Sequence, residues 1–324
     1  MLKYLKAGSA YLLDRTLAWR PRRAWRRHVA RKRLASWESQ AGERDHLEAS
    51  VERGVRMRLW FDSQLCRVVY CEDFEREERR FLNRYLKQGD VFVDVGANIG
   101  IYALIAARRV GSTGHVYAFE PCSETYERLV TNIELNGLAN VSHYRLALSD
   151  RAAETQMTIS VDGFDAFNSL ARPVMGKELR LETVTCTTWD SFAVGHGLIG
   201  RVTMMKIDVE GWESRVLRGG YDALRRTDAP VLQVEFFDEA CVSAGSSCNA
   251  VYRLLEELGY QIFAYNSRNN TIVPVPLGQT DPYLNLIAAK QPEEVVARLR
   301  RRSCSPWFRR ALGRSQGGRC TVPS

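Results

Sequence analysis

Lys206, Asp208, Glu210 and Glu235 put one ammonium and three carboxylates at the ends of two β-prone runs. In Val202 to Asp208, period-two alternation places Lys206 and Asp208 on one side. Glu210 falls on the same side, at or just past the strand end. Glu235 closes the run Val231 to Phe236 and is expected to face the same crevice. A core does not tolerate that much charge without a purpose. A carboxylate placed there can remove a proton from a hydroxyl in a displacement reaction, so Asp208, Lys206, Glu210 and Glu235 are the catalytic candidates, with Asp208 the best placed. The alternative kept open is a Lys206–carboxylate pair that orders its own turn, with Glu210 bonded to the turn at Gly211. The three acids are also hard oxygen ligands. No histidine lies among them and the spacing demands no metal, so none is expected.

The stretch Val91-Phe-Val-Asp-Val-Gly-Ala-Asn-Ile-Gly100 supplies the other half of the chemistry. Its first residues form an almost unbroken β-prone run, as in a strand buried on both faces. Gly96 admits backbone conformations denied to residues with a Cβ and lets a ligand approach the main chain. Ile101 to Arg109 is free of breakers and predicts a helix. A strand entering a glycine turn and a helix N-terminus is a nucleotide-binding corner. Glu120 ends the next strand-like run, His115 to Phe119, where an acid can accept hydrogen bonds from both ribose hydroxyls. The glycine spacing is neither that of dinucleotide enzymes nor that of a P-loop. The ligand therefore carries a ribose and no phosphate chain at this turn. S-adenosylmethionine meets that description, and its positive sulfonium suits the nearby Asp94.

The order Asp-Val-Gly-Ala-Asn-Ile-Gly (94–100), Phe-Glu-Pro (119–121), Asn-x-x-x-Asn (132–136), Ala-Leu-Ser-Asp (147–150) and Lys-Ile-Asp-Val-Glu-Gly-Trp-Glu (206–213) resembles the FkbM-type family of S-adenosylmethionine-dependent methyltransferases, over about residues 70–290. The most specific element is Met205-Lys-Ile-Asp-Val-Glu-Gly211, downstream of the first motif. The resemblance implies a class I methyltransferase fold and, usually, O-methylation of a small molecule or glycan. Asp94, Gly96, Asn98, Gly100, Glu120 and Asp208 are then the expected cofactor residues. Ala147 and Leu148 join them at the end of the third strand, where the adenine ring should lie. For Asn98, helix capping is the competing role; for Ala147 and Leu148, plain core packing. Asn132 and Asn136 are expected in a helix and its C-cap. Asn168 and Ser169 resemble a recurring Asn-Ser pair of the family and are expected at the acceptor pocket, or in a loop turn.

To position these residues the chain must alternate strand and helix: 91–95, 99–109, 115–119, 122–136, 141–147, then 202–208, a helix near 212–225, 231–236, a helix near 248–258, 260–265 and 284–289. Such alternation implies an α/β fold with a mostly parallel, seven-stranded sheet, right-handed crossovers and helices on both faces. The last strand, reached by a short connection, is expected antiparallel. Ahead of the core, residues 55–70 suggest a β-hairpin, and 74–87 carry apolar residues at helical spacing. Residues 150–190 break the rhythm as strand, loop, strand, a β-rich insertion able to sit over the C-terminal edge of the sheet where ligands bind.

The chain has 324 residues and a net charge of +8. Residues 1–33 carry +10 and residues 297–324 carry +8, which leaves −10 for the middle. An acidic core argues against a groove that grips nucleic acid. The expected organisation is a basic N-terminal extension (1–50), a methyltransferase domain (51–290) and a basic, disordered tail (291–324). Trp19, Trp25 and several leucines among the N-terminal arginines suit peripheral contact with an anionic membrane; packing on the domain is the alternative. No apolar run approaches the ~18 residues that span a bilayer. Eight cysteines without Cys-x-x-Cys spacing read as reduced thiols in a cytoplasmic protein. The acceptor is expected to be a hydroxyl on a sugar, lipid-linked glycan or polyketide-like small molecule. N- or protein methylation and a non-catalytic cofactor-binding scaffold are the alternatives.

Overall fold

The computed structural model describes residues 21–71, 74–171, 174–278 and 283–300. Its centre is a sheet in which β3 (Val91–Val95), β4 (His115–Phe119), β5 (Val141–Tyr144), β9 (Met204–Ile207), β10 (Val231–Phe237), β11 (Gln261–Asn266), β12 (Thr271–Pro274) and β13 (Tyr283–Ala289) lie in the order β12-β11-β13-β10-β9-β3-β4-β5. The strands from β10 to β5 pair in parallel, and β13 runs antiparallel between β10 and β11. These seven strands, with one reversed, make the class I pattern. The eighth, β12, returns from β11 as a hairpin and extends the edge. The order reverses at β3, so the crevice above the β3, β4 and β9 ends is the topological switch point where open α/β sheets bind ligands.

Alternation along the strands sorts two cores. On one face, Phe92 and Met204 pack with α3 (Arg76–Tyr85), α4 (Ile101–Val110), α5 (Ser123–Leu135) and α11 (Pro292–Arg300). On the other, Val93, Val95, Met205 and Ile207 pack with α6 (Trp189–Gly195), α7 (Glu213–Gly219), α8 (Tyr221–Leu224) and α10 (Cys248–Glu257). A fully buried strand has no solvated face, which is why these runs read as continuously apolar. Asp94 and Lys206 interrupt them as side-by-side partners on β3 and β9, both buried.

Several boundaries differ from expectation for local reasons. The hairpin ahead of the core is β1 (His46–Glu52) with β2 (Val55–Trp60), and Gln64–Cys71 is a helix, α2. Buried Leu65, Cys66, Val68 and Val69 follow helical spacing there, and Gly54, at φ +78°, makes the turn upstream. The expected helix near 212–225 is divided into α7 and α8 at Gly220. Ala147 and Leu148 are not the end of β5. They form β6, which leaves the main sheet to pair with β8 (Leu179–Thr187). With β7 (Ala153–Ser160), β6 and β8 make a separate three-stranded sheet, and a 3-10 turn at Asp165–Phe167 lies within the insertion.

The boundary placed at residue 50 falls inside β1. Before it, the helix α1 (Pro21–Gln40) sets Trp37 edge-on against Phe61 at 4.5 Å, within the same core as the sheet. At the other end, residues 292–300 form α11, with Val295 and Leu299 buried and Arg298 donating to the Tyr85 carbonyl at 2.8 Å. Residues 1–20 and 301–324 lie outside the described residues, and with them Trp19 and four of the eleven basic residues behind the membrane expectation. Among the described residues no helix is long and apolar enough to cross a membrane.

Candidate active site

The turn after β3 is shaped by two positive backbone angles, φ +80° at Gly96 and +48° at Asn98. A Cβ built on Gly96 would stand 1.9 Å from the Asp208 carbonyl oxygen, so the turn after β3 and the end of β9 touch through backbone alone. Glu120 sits beside this turn, 5% exposed. Its Oε2 accepts from the Asn98 N–H at 2.9 Å and its Oε1 from the Cys122 N–H at 3.0 Å. Each carboxylate oxygen offers about two acceptor positions, so one remains on each, the number a ribose diol requires. Burial, set against those two N–H bonds, pushes the Glu120 carboxyl up to about 7.

A pocket opens above these strand ends. Gly96, Ala97, Asn98, Glu120, Ala147 and Leu148 line it on one side, and Lys206, Asp208, Glu210 and Trp212 on the other. The insertion roofs it with Met157, Phe164, Phe167 and Asn168. Among the contacts that hold that roof in place, Asp165 accepts from the Ser63 hydroxyl at 2.7 Å, and the Asn98 amide donates to the Asp165 carbonyl at 3.4 Å. The β6 excursion explains why Ala147 and Leu148 face this pocket although they end no strand of the main sheet.

Lys206 is 3% exposed and gives Nζ to Asp208 Oδ2 at 2.5 Å, while its ammonium lies 4.5 Å from the Tyr102 ring centroid. Burial favours loss of its proton, but Asp208, Glu75 and Asp94 around it outweigh that and hold its pKa above the usual lysine range. Asp208 keeps 17% of its side-chain surface open, on the pocket side of the pair. Glu210 occupies a left-handed turn at φ +52°, with one carboxylate oxygen buried and unbonded. Glu235 follows the last β10–β9 register pair, Val234–Ile207, and therefore lies beside Asp208. It is fully buried, with both oxygens unbonded. Burial first, and then the neighbouring acids, push Glu210 and Glu235 well above the carboxylate range.

Asp208, Glu210 and Glu235 come together: one oxygen from each lies within 4.8 Å of the others. Asp94, Gly100 and Glu235 do not line the pocket. Asp94 is buried against Lys206, and Gly100 leaves room for Leu129, whose Cδ1 would stand 2.7 Å from an added Cβ. Ser169 also stays out of the lining. Its hydroxyl donates to the Glu210 carbonyl at 2.8 Å and so ties the insertion to that turn. The turn at Gly211 is bonded not by Glu210 but by Glu213, whose Oε1 accepts from Val209 and Gly211 N–H groups at 3.1 and 3.2 Å. Asn132 does more than populate a helix: fully buried, it bonds Arg58 in β2 and the Ile99 carbonyl in the turn after β3.

Glu75 and Tyr102 escaped sequence reasoning. Glu75 precedes α3 at φ +41° and accepts the Tyr102 hydroxyl at 2.6 Å, at the edge of the Lys206 cluster. Burial pushes its carboxyl up to about 8, against the pull of Lys206. A signal existed in the acidic run from Glu72 to Glu78, but it reads as the solvated face of a helix.

A family model described as a methyltransferase FkbM domain matches residues 94–262, more than half of the chain. The hexuronic acid methyltransferase AglP of Haloferax volcanii is 27% identical over 183 residues, covering 56% of this chain and 68% of that protein. The 31-O-demethyl-FK506 methyltransferase FkbM of Streptomyces tacrolimicus is 32% identical over 168 residues, covering 43% of this chain and 62% of that protein. A solved S-adenosylmethionine-dependent methyltransferase from Aquifex aeolicus is 15% identical, covering 65% of this chain and 88% of that one, with a TM-score of 0.36.

Proposed function

Because the chain belongs to the FkbM family of S-adenosylmethionine-dependent methyltransferases, we propose that it transfers a methyl group to a hydroxyl of a sugar, a lipid-linked glycan or a polyketide-like small molecule. The observation that carries this reading is Asp208. Its carboxylate is partly open to the pocket and held by Lys206, and Glu120 lines the same pocket. Two relatives are named for the methylation of a hexuronic acid and of 31-O-demethyl-FK506, which supports a sugar or small-molecule acceptor.

When bound, S-adenosylmethionine supplies an electrophilic methyl on a sulfonium. Glu120 accepts the ribose hydroxyls, and Ala147 and Leu148 offer an apolar surface for the adenine. Asp208 would accept the proton of the acceptor hydroxyl, leaving that oxygen free to take the methyl. Lys206 fixes the orientation of that carboxylate. Phe164, Phe167 and Trp212 around the pocket favour an acceptor with an apolar face and shield the site from water. Holding donor and acceptor in line supplies much of the rate in such a displacement.

The test is incubation with S-adenosylmethionine and fractionated glycan, lipid-linked sugar and polyketide extracts, followed by mass spectrometry. The expected product gains one CH2 unit and keeps it through mild alkali, as an ether does. A methyl lost in alkali marks an ester, and one found on nitrogen or on protein marks a different acceptor. Either result overturns the hydroxyl assignment.

A further inference from the structure

We propose that Asp208, Glu210 and Glu235 form a binding site for one divalent cation of the magnesium, manganese or calcium kind. The geometry suits such an ion. One oxygen from each side chain lies within 4.8 Å of the others. Oxygen ligands stand roughly 2.0–2.6 Å from these ions, so two ligands on opposite sides are about 4–5 Å apart. The trio can close on an ion with little side-chain movement.

The partners of each acid point the same way. Glu235 is fully buried at the centre of the sheet, and neither of its oxygens has a hydrogen-bond donor. An ionised carboxylate in that position is costly unless a charge or donors compensate it. Glu210 likewise leaves a buried oxygen unbonded, and Asp208 spends only Oδ2 on Lys206. Asn285, the register partner of Glu235 on β13, has an unbonded buried amide oxygen as well, and so offers a fourth neutral ligand on the same strand row. Glu213 stands in contrast, since its Oε1 is occupied by two backbone N–H groups. With all three acids ionised, as ligands must be, they and Lys206 sum to −2, and one divalent ion brings that to zero. An all-oxygen ligand set selects hard cations over zinc or copper.

Asp208 and Glu210 line the pocket while Glu235 lies behind them, so the ion would sit at the pocket floor. There it can ligate the acceptor oxygen and ease loss of its proton. That role rests on the proposed methyl transfer; the binding site itself does not.

The test therefore uses neither acceptor nor turnover. The full chain, stripped with a chelator, is titrated with Mn2+ and followed by electron paramagnetic resonance of the free ion, with Mg2+ and Ca2+ as competitors. One Mn2+ per chain is expected, displaced by Mg2+ or Ca2+. Glu235→Gln should weaken it by at least about 10-fold, since losing even an outer-sphere partner costs that much. S-adenosylmethionine affinity should stay within threefold, because Glu235 does not line the pocket. Glu210→Gln, in the turn and nearer solvent, gives the same readout if Glu235→Gln fails to fold. No saturable Mn2+ binding, or binding equally tight in both variants, overturns the site. A chain that binds Mn2+ as expected yet methylates nothing leaves the site standing and removes the reading of its function.

Discussion

Gly96→Ala should leave no measurable methyl transfer and lower the melting temperature by on the order of 10 °C. Two costs combine. The residue sits at φ +80°, where a side chain costs about 1–2 kcal/mol. The new Cβ would also stand 1.9 Å from the Asp208 carbonyl oxygen, a backbone atom that cannot rotate away. The turn after β3 or the end of β9 must move, and those two segments carry the Glu120 contacts and Asp208. Gly195→Ala is the control, because nothing lies within 4 Å of an added Cβ there and its φ is ordinary. It should melt within about 2 °C of the wild type, as neutral sites do. Thermal melts followed by calorimetry with S-adenosylmethionine decide the point. A Gly96→Ala protein with wild-type melting and affinity would remove the close approach from the account.

The second large effect belongs to Asp208. Asp208→Asn keeps the shape of the side chain and removes its negative charge. General-base assistance is worth about 10²–10⁴ in rate, so turnover should fall at least ~100-fold. Lys206 also loses its ion-pair partner, and breaking a buried pair costs up to about 3–5 kcal/mol, less here because Glu75 and Asp94 remain beside the ammonium. Melting should therefore fall too, and turnover must be compared below that transition. Affinity for S-adenosylmethionine should stay within threefold, since Glu120 and the turn after β3 are untouched. If turnover stays within about threefold, a barrier change under 1 kcal/mol, Asp208 orders the turn and does no chemistry.

The segments that were legible in the sequence are those whose local pattern and tertiary role agree. Val91–Val95 is buried on both faces, so its apolar run, its glycine turn and the helix that follows could be read without knowledge of the rest. Glu120 was legible because a strand end one crossover away fixes its distance from that turn. Lys206, Asp208 and Glu210 followed from period two, and Glu235 from the end of the adjacent strand. What could not be read depends on long-range packing. Glu75 reaches Tyr102 only after α3 has docked on α4, and its left-handed backbone leaves no mark in an acidic run. The departure of Ala147 and Leu148 into a second sheet depends on pairing with β8, some forty residues away. Glu213 and Glu210 differ by three positions in one motif; only the fold shows that Glu213 closes the Gly211 turn and that a buried Glu210 carboxylate oxygen is left unbonded.

Calorimetric titration of the full chain and of Glu120→Ala with S-adenosylmethionine shows directly whether the crevice above β3, β4 and β9 holds that cofactor through Glu120. The titration belongs at pH 8, because buried Glu120 takes up a proton near 7 and offers both acceptors only above that value. The wild type should bind one equivalent. Each hydrogen bond to a charged group is worth about 1.5–3 kcal/mol, so the folded variant should bind at least ~10-fold more weakly. Equal affinity in the two proteins, or no saturable binding to the wild type, would contradict the account.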